Sequence, residues 1–211
     1  VAGILGFSMC GYYVQYLLDD DFNLDFELLQ NFLKKHEGKK ILLFGFTYIV
    51  WEFFNNAIQK NGIPINLENG ILIHGGGWKK MIDSAVDTHI FRESLYNKTK
   101  LQNIYNYYGL VEQTGSIFME CEVGFLHASN YSDIIIRNHK DYSVASIGQE
   151  GLVQLVSALP LSYPGHSILT EDLGTIYGID NCTCGRHGKY FKISGRIKNA
   201  EVRGCSDTIQ K

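Results

Sequence analysis

Hydrophobic positions in the first half of the chain change period several times, and each change marks an element. Phe26, Leu29 and Leu33 recur at helical spacing. Asn23 or Asp25 can cap the start of that helix, and Lys34, Lys35 and Gly38 suit its end. Lys40 to Gly45 reads as a buried strand. Thr47 is placed to cap a second helix carrying Val50, Phe53, Phe54, Ala57 and Ile58 on one face, with Gly62 as its stop. Ile71 to His74 predicts another strand, about Ser84 to Thr99 a third helix, and Ile104 to Tyr107 a further strand. Helices alternating with strands in this way predict a mostly parallel sheet.

After Gly109 the pattern changes to short β-like runs, among them Tyr131 to Arg137, Gly151 to Ser157 and Gly174 to Tyr177, separated by Gly, Pro and Asn turns. The expected fold class is α/β: a mostly parallel sheet with helices, followed by a smaller β-rich subdomain. The expected division is an α/β layer over 1–110, the β-rich subdomain over 111–194, and a hinge and tail over 195–211. No internal repeat or low-complexity segment interrupts it.

Composition narrows the partners. With 211 residues, 45% of them hydrophobic, the chain can bury a substantial core. A net charge of -3 offers no broad basic field for nucleic acid or anionic membrane. The longest apolar stretches, such as Ile41 to Val50, fall short of the roughly 20 residues of a membrane helix, so no span is expected. The opening lacks the basic start and cleavage site of a signal peptide, and Val1 stands where a methionine would begin a chain. A fragment with further sequence upstream is the expectation. Five cysteines, an odd number, point to a reducing cytoplasm and to thiol or metal chemistry.

Candidate chemistry sits where loops follow strands, because ligands of open parallel sheets bind beyond the carboxyl ends of strands. Gly75, Gly76 and Gly77 after His74 let a backbone approach a flat base or a phosphate, or simply make a flexible turn. Tyr108 and Glu112 lie four residues apart after a strand. The ring can stack on adenine and the carboxylate can hold Mg²⁺, or they are a packing aromatic and a solvated charge. Glu171 and Asp172 follow an apolar pair, where a carboxylate can accept from ribose hydroxyls or shape a turn. Arg196 and Lys198 belong to a charge run open to a phosphate, a ribose or plain solvent.

The order of these segments resembles the adenylate-forming acyl and aryl ligases. Tyr108-Gly109-Leu110-Val111-Glu112 is similar to their Tyr-Gly-x-x-Glu signature, Asp172 to their ribose-binding aspartate, and Gly195-Arg196-Ile197-Lys198 to their interdomain hinge. The closer resemblance is to LuxE-type acyl-protein synthetases. GGGWKK, YYGLVEQTGSIFMECE, LHASNYSD, LPLSYPGHSILTEDLG and GRIKNAEVRGCSDT carry it, from about Ile71 to Thr208. It implies ATP- and Mg²⁺-dependent activation of a fatty acid to acyl-AMP, transfer to a protein cysteine as a thioester, and delivery to an acyl-CoA reductase-type protein partner. It further implies adenine stacking by Tyr108, Mg²⁺ at Glu112, ribose at Asp172, ribose or phosphate at Arg196, a hinge at Lys198 and a nucleotide wall at Gly75 to Gly77. The family's Ser/Thr/Gly-rich phosphate loop lies outside this sequence, so the 211 residues alone are expected not to turn over ATP. The rival readings are an acyl- or aryl-CoA ligase, with free coenzyme A as acceptor, and a noncatalytic binding module on the same scaffold.

The cysteines add two sites. Cys182 and Cys184 form a tight pair in a turn, and Cys121 with His127 lies about sixty residues earlier. Together they would make a closed tetrahedral zinc site, as in related phenylacetate-CoA ligase-like proteins, or else they are reduced thiols and a surface imidazole. Cys205, flanked by Gly204 and near Arg203, is the candidate acyl carrier, since the family carries its acyl group on a C-terminal cysteine and thiolate is the nucleophile. Cys10 reads as a buried apolar residue.

Overall fold

The computed structural model describes Met9, Gly11 and residues 13–78, 84–113 and 115–197. Cys10, Lys198 and Cys205 lie outside the described residues. The chain divides between Tyr105 and Asn106 into two compact units. The division falls inside a strand, Asn103–Tyr108, and not after it, because the two hydrophobic cores change over midway along that strand.

In the first unit, helix α1 (Phe26–Lys35) begins where expected: the Asp25 carboxylate accepts from the Leu28 amide at 2.8 Å, and Lys34 and Lys35 fill the last turn. Strand β1 (Ile41–Phe46) pairs in parallel with β2 (Gly70–Gly75), with Ile41 opposite Gly70 and Phe46 opposite Gly75. Between them runs α2, one helical stretch in three pieces: Thr47–Ile49, a π-wound Val50–Asn55, and Asn56–Asn61. Gly62 ends it in the left-handed conformation at φ 70°.

The start of α2 corrects the sequence expectation. Phe46 occupies the cap position in extended conformation, and Thr47 is the first helical residue, with no capping bond from a side chain. The Thr47 hydroxyl is buried, so it must find a partner, and it turns to the end of β2 instead. Helix α3 (Thr88–Thr99) starts later than Ser84 because Asp87 provides the cap, accepting from the Ile90 amide at 2.9 Å. Lys98 and Ser94 of α3 donate to the buried Asn55 side chain, each at 3.1 Å, which pins the π-wound turn. Leu29, Phe54, Leu72, Leu95, Leu101 and Ile104 fill the core. Leu95 and Leu101 are fully buried, so truncating either to Ala would cost about 2–5 kcal/mol.

Strand β3 (Asn103–Tyr108) leads into the second unit, where β4 (Phe118–Glu120), β5 (Leu126–His127), β6 (Ser132–Arg137), β7 (Gly151–Ser157), β8 (Ser167–Ile179) and β9 (Lys189–Arg196) pair antiparallel in the order β3-β4-β5-β9-β8-β7-β6. Its core is Phe118, Ile134, Ile136, Val153, Leu155 and Phe191. β6 and β7 match the runs read from the sequence. β8 is far longer than Gly174 to Tyr177, so Glu171 and Asp172 lie within a strand and not in a turn. Among the described residues, no helix is long and apolar enough to cross a membrane.

Candidate active site

Three segments distant in sequence meet on Asp172. In β8–β9 pairing Asp172 stands opposite Arg196, and the register slips just beyond, between Leu173 and Gly174. A register slip of this kind re-aims side chains along a strand. The upstream side is fixed by Thr170, whose hydroxyl donates to the Val153 carbonyl at 2.9 Å and accepts the Asp172 amide at 3.1 Å. Val153 lies within the irregularity of β7–β8 pairing, so this hydroxyl replaces a ladder bond.

The Asp172 carboxylate then receives two donors. Tyr108 O–H donates to Oδ2 at 2.6 Å and Arg196 Nε donates to Oδ1 at 3.0 Å. Arg196 also reaches Glu171 at 3.5 Å, and the Ile197 amide closes on the Glu171 carbonyl at 3.0 Å. The Asp172 side chain is only 14% exposed, so its charge is largely removed from water and depends on these partners. Burial, and then the neighbouring Asp172 charge, push the Tyr108 phenol well above its ordinary range. Tyr108 is therefore a neutral donor, with its ring beside Phe118 at 6.1 Å between centroids.

Glu112 is exposed on a 3₁₀ turn, Val111–Gln113, that follows Gly109. Gly109 is required there, since a Cβ would stand 3.0 Å from the Ser116 carbonyl oxygen. The residue that anchors this turn was missed by sequence reasoning. Gln113 is fully buried and donates through Nε2 to the Gly165 carbonyl at 2.8 Å, tying the turn to the β7–β8 loop. A polar amide between Glu112 and Thr114 carries no hydrophobic period that would reveal it.

In the first unit, considered by itself, Gly75 ends β2, and Gly76 and Gly77 take left-handed φ values of 80° and 61°. Thr47 Oγ1 lies 3.1 Å from the Gly75 carbonyl oxygen and 2.9 Å from His74 Nδ1. Burial, and then the Arg92 charge, lower His74 to about 4. Thr47 and His74 were not singled out as site residues, although the parallel register of β1 and β2 brings them side by side.

The sheet also gathers the sulfur ligands. Cys121 and His127 flank the turn of the β4–β5 hairpin, and Cys182 and Cys184 lie in the β8–β9 turn. Pairing of β5 with β9, His127 opposite Tyr190, sets the two turns side by side. The four ligand atoms all lie within 4.8 Å of one another, and Cys184 Sγ is 3.5 Å from His127 Nε2. Tetrahedral bonds of about 2.3 Å to sulfur and about 2.0 Å to nitrogen separate neighbouring ligand atoms by roughly 3.5–3.8 Å, the spacing of the Cys184–His127 pair. The Arg186 amide points at Cys184 Sγ at 3.4 Å, and burial followed by the Arg186 charge lowers the His127 pKa and favours its neutral, ligating form.

The sequence matches the family described as acyl-protein synthetase, LuxE, over residues 3–211. Two relatives are long-chain-fatty-acid–luciferin-component ligases. The one from Vibrio harveyi is 26% identical over 179 residues, which is 82% of this chain and 45% of the relative. The one from Aliivibrio fischeri is 26% identical over 214 aligned residues, 95% of this chain and 54% of the relative. The chain thus spans about half the length of the curated relatives it matches. In fold it is similar to an open conformation of 2-hydroxyisobutyryl-CoA ligase in complex with 2-HIB-AMP and CoA, at TM-score 0.61 and 14% identity over 82% of this chain and 36% of that one. ATP-bound MatB from Rhodopseudomonas palustris gives TM-score 0.52 and 14% identity over 80% of this chain and 33% of that one. The α/β class read from the hydrophobic pattern is therefore the fold class of these two solved structures. With the family's pattern running through nearly every residue of a chain folded in this way, the chain belongs to the LuxE acyl-protein synthetase family.

Proposed function

We propose that the full-length polypeptide activates a fatty acid with ATP and carries the acyl group as a cysteine thioester. The observation that supports this reading best is the convergence of Tyr108 and Arg196, from two separate motifs, on the carboxylate of a third, Asp172. A carboxylate has lone pairs beyond the two already used, so Asp172 can accept from ribose hydroxyls while Tyr108 and Arg196 hold it in place. The Tyr108 ring is assigned to adenine and Arg196 to the ribose or α-phosphate edge. Gly109 allows the turn that carries Glu112, which is assigned to Mg²⁺ as a hard, solvent-facing oxygen ligand. Gly75, Gly76 and Gly77 are given a backbone role toward the nucleotide on the family resemblance.

The chemistry has two steps. A fatty acid carboxylate oxygen attacks the α-phosphorus of ATP, and pyrophosphate leaves to give acyl-AMP. A cysteine thiolate then attacks the acyl carbonyl carbon, AMP leaves, and a thioester remains. Cys205 is assigned as that thiolate and Lys198 to the hinge before it. A reductase-type protein is the expected consumer, because a thioester is the activated form from which a hydride donor makes an aldehyde.

Cys121, His127, Cys182 and Cys184 are assigned to one zinc ion, which would cross-link the β4–β5 and β8–β9 turns. The donors suit it: three thiols and one imidazole, buried or half-buried, with ligand atoms all within 4.8 Å of one another.

Fatty-acid-dependent exchange of pyrophosphate into ATP by the full-length polypeptide tests the first step. Exchange that requires long-chain fatty acid is expected, with the Asp172→Ala variant reduced; fatty-acid-independent or absent exchange by correctly folded wild type would refute the reading.

A further inference from the structure

We propose that Thr47 is a positioning residue for the Gly75–Gly77 turn, acting through a hydroxyl whose single hydrogen His74 directs onto the Gly75 carbonyl. The inference rests on the reading that this turn's backbone meets an adenine nucleotide.

Donor and acceptor capacities give the direction that the proposal assigns to each bond. The Gly75 carbonyl can only accept, and a hydroxyl has one hydrogen to give. Thr47 therefore donates to Gly75 at 3.1 Å. The 2.9 Å contact to His74 is then satisfied only if Nδ1 carries a proton and donates to Thr47 Oγ1. Thr47 lies one residue past Phe46, which pairs with Gly75, so the parallel register alone delivers the hydroxyl to that carbonyl.

The remaining imidazole nitrogen, Nε2, is buried and has no hydrogen-bond partner among the described residues. His74 is 5% exposed, and its ring packs 4.6 Å from Phe91 between centroids. Burial, and then the Arg92 charge, disfavour a second proton on the ring and hold His74 down to about 4. At neutral pH the ring is neutral, with a single proton that the proposal places on Nδ1.

The turn depends on this anchor. After Gly75 the chain takes two left-handed residues, and among the described residues a Cβ at Gly77 would meet nothing within 4 Å. The carbonyl from which the turn departs is the point that a side chain holds, through Thr47. An adenine base or phosphate approaching the backbone would then find it preorganised.

The test uses the full-length polypeptide and fatty-acid-dependent ATP–pyrophosphate exchange, with thermal midpoints measured alongside. Thr47→Val keeps the shape and removes the donor; it should raise KM for ATP about tenfold with kcat within about twofold, the scale of one lost buried hydrogen bond. Thr47→Ser should restore the wild-type KM. Gly77→Ala, which strains the turn itself, should also raise KM. If Gly77→Ala raises KM and Thr47→Val does not, Thr47 has no positioning role while the reading of the turn stands. If neither changes KM, the reading of the turn falls and the inference with it. A Thr47→Ser variant as impaired as Thr47→Val also overturns the proposal. Should Thr47→Val fail to fold, the His74 pair decides: His74→Asn retains a donor and should keep KM near wild type, His74→Phe should raise it, and equal values for the two overturn the proposal.

Discussion

The Tyr108 hydroxyl donates to Asp172 Oδ2 at 2.6 Å, joining residues 64 positions apart in sequence. The bond holds the Asp172 carboxylate in one orientation. The ring's place and the hydroxyl's bond are separable by substitution. Tyr108→Phe should keep ring stacking, lose about 1.5–3 kcal/mol of stability and raise KM for ATP a few-fold, because a hydrogen bond to a charged group is lost. Asp172→Ala should raise KM for ATP about 10–100-fold, since it removes the acceptor itself. Titrating ATP in the exchange assay checks both, and equal effects of the two substitutions would contradict the division of roles.

Glu112→Ala should change the Mg²⁺ requirement and leave the affinity for free nucleotide nearly intact. Its carboxylate is exposed on the turn after Gly109, so stability should move by less than about 0.5 kcal/mol. Exchange rates measured across a Mg²⁺ titration decide the point: a curve identical to wild type removes Glu112 from the metal.

Protein purified without chelator should contain close to one zinc per chain by elemental analysis. Cys184→Ser should lower that content sharply. Stripping the metal should lower the unfolding midpoint by about 10 °C, the response to roughly 3 kcal/mol in a chain of this size. Stable, metal-free protein would refute the assignment of Cys121, His127, Cys182 and Cys184.

Acid should weaken the fold through His74. Its folded pKa, about 4, is below the ordinary value of 6.5, so between those two values the unfolded chain binds a proton that the folded chain does not. Stability therefore rises with pH across that window and is lost as pH falls through it, by up to roughly 3 kcal/mol. Denaturant unfolding at pH 7 and pH 4.5 should show a smaller pH difference in His74→Asn than in wild type; identical differences would contradict the burial of a neutral imidazole.

Local signals in the sequence were strong where short-range physics decides the element. Asp25 capping α1, Gly62 ending α2 and the alternating run Gly151–Ser157 all act within a few residues, and each was legible. Thr47 was misread as a cap because its partners, His74 and Gly75, are brought to it by strand pairing, which residue types alone do not encode. Gly174 reads from the sequence as the start of a strand, but it follows a register slip within a 13-residue strand that also holds Glu171 and Asp172, and a Cβ there would press on the Lys192 carbonyl at 2.9 Å. The ligand types of the Cys and His cluster were readable, while their convergence depends on β5 pairing with β9. Gln113 left no signal, because its role is set by the loop it ties down.

Passage of the acyl group from AMP to a cysteine of the same polypeptide is tested most directly by incubating full-length protein with ATP, Mg²⁺ and radiolabelled long-chain fatty acid, without coenzyme A. A covalent label released by hydroxylamine, present in wild type and missing from Cys205→Ser while pyrophosphate exchange persists in that variant, is the predicted result. Label that forms only on added coenzyme A, or label retained by Cys205→Ser, would contradict it.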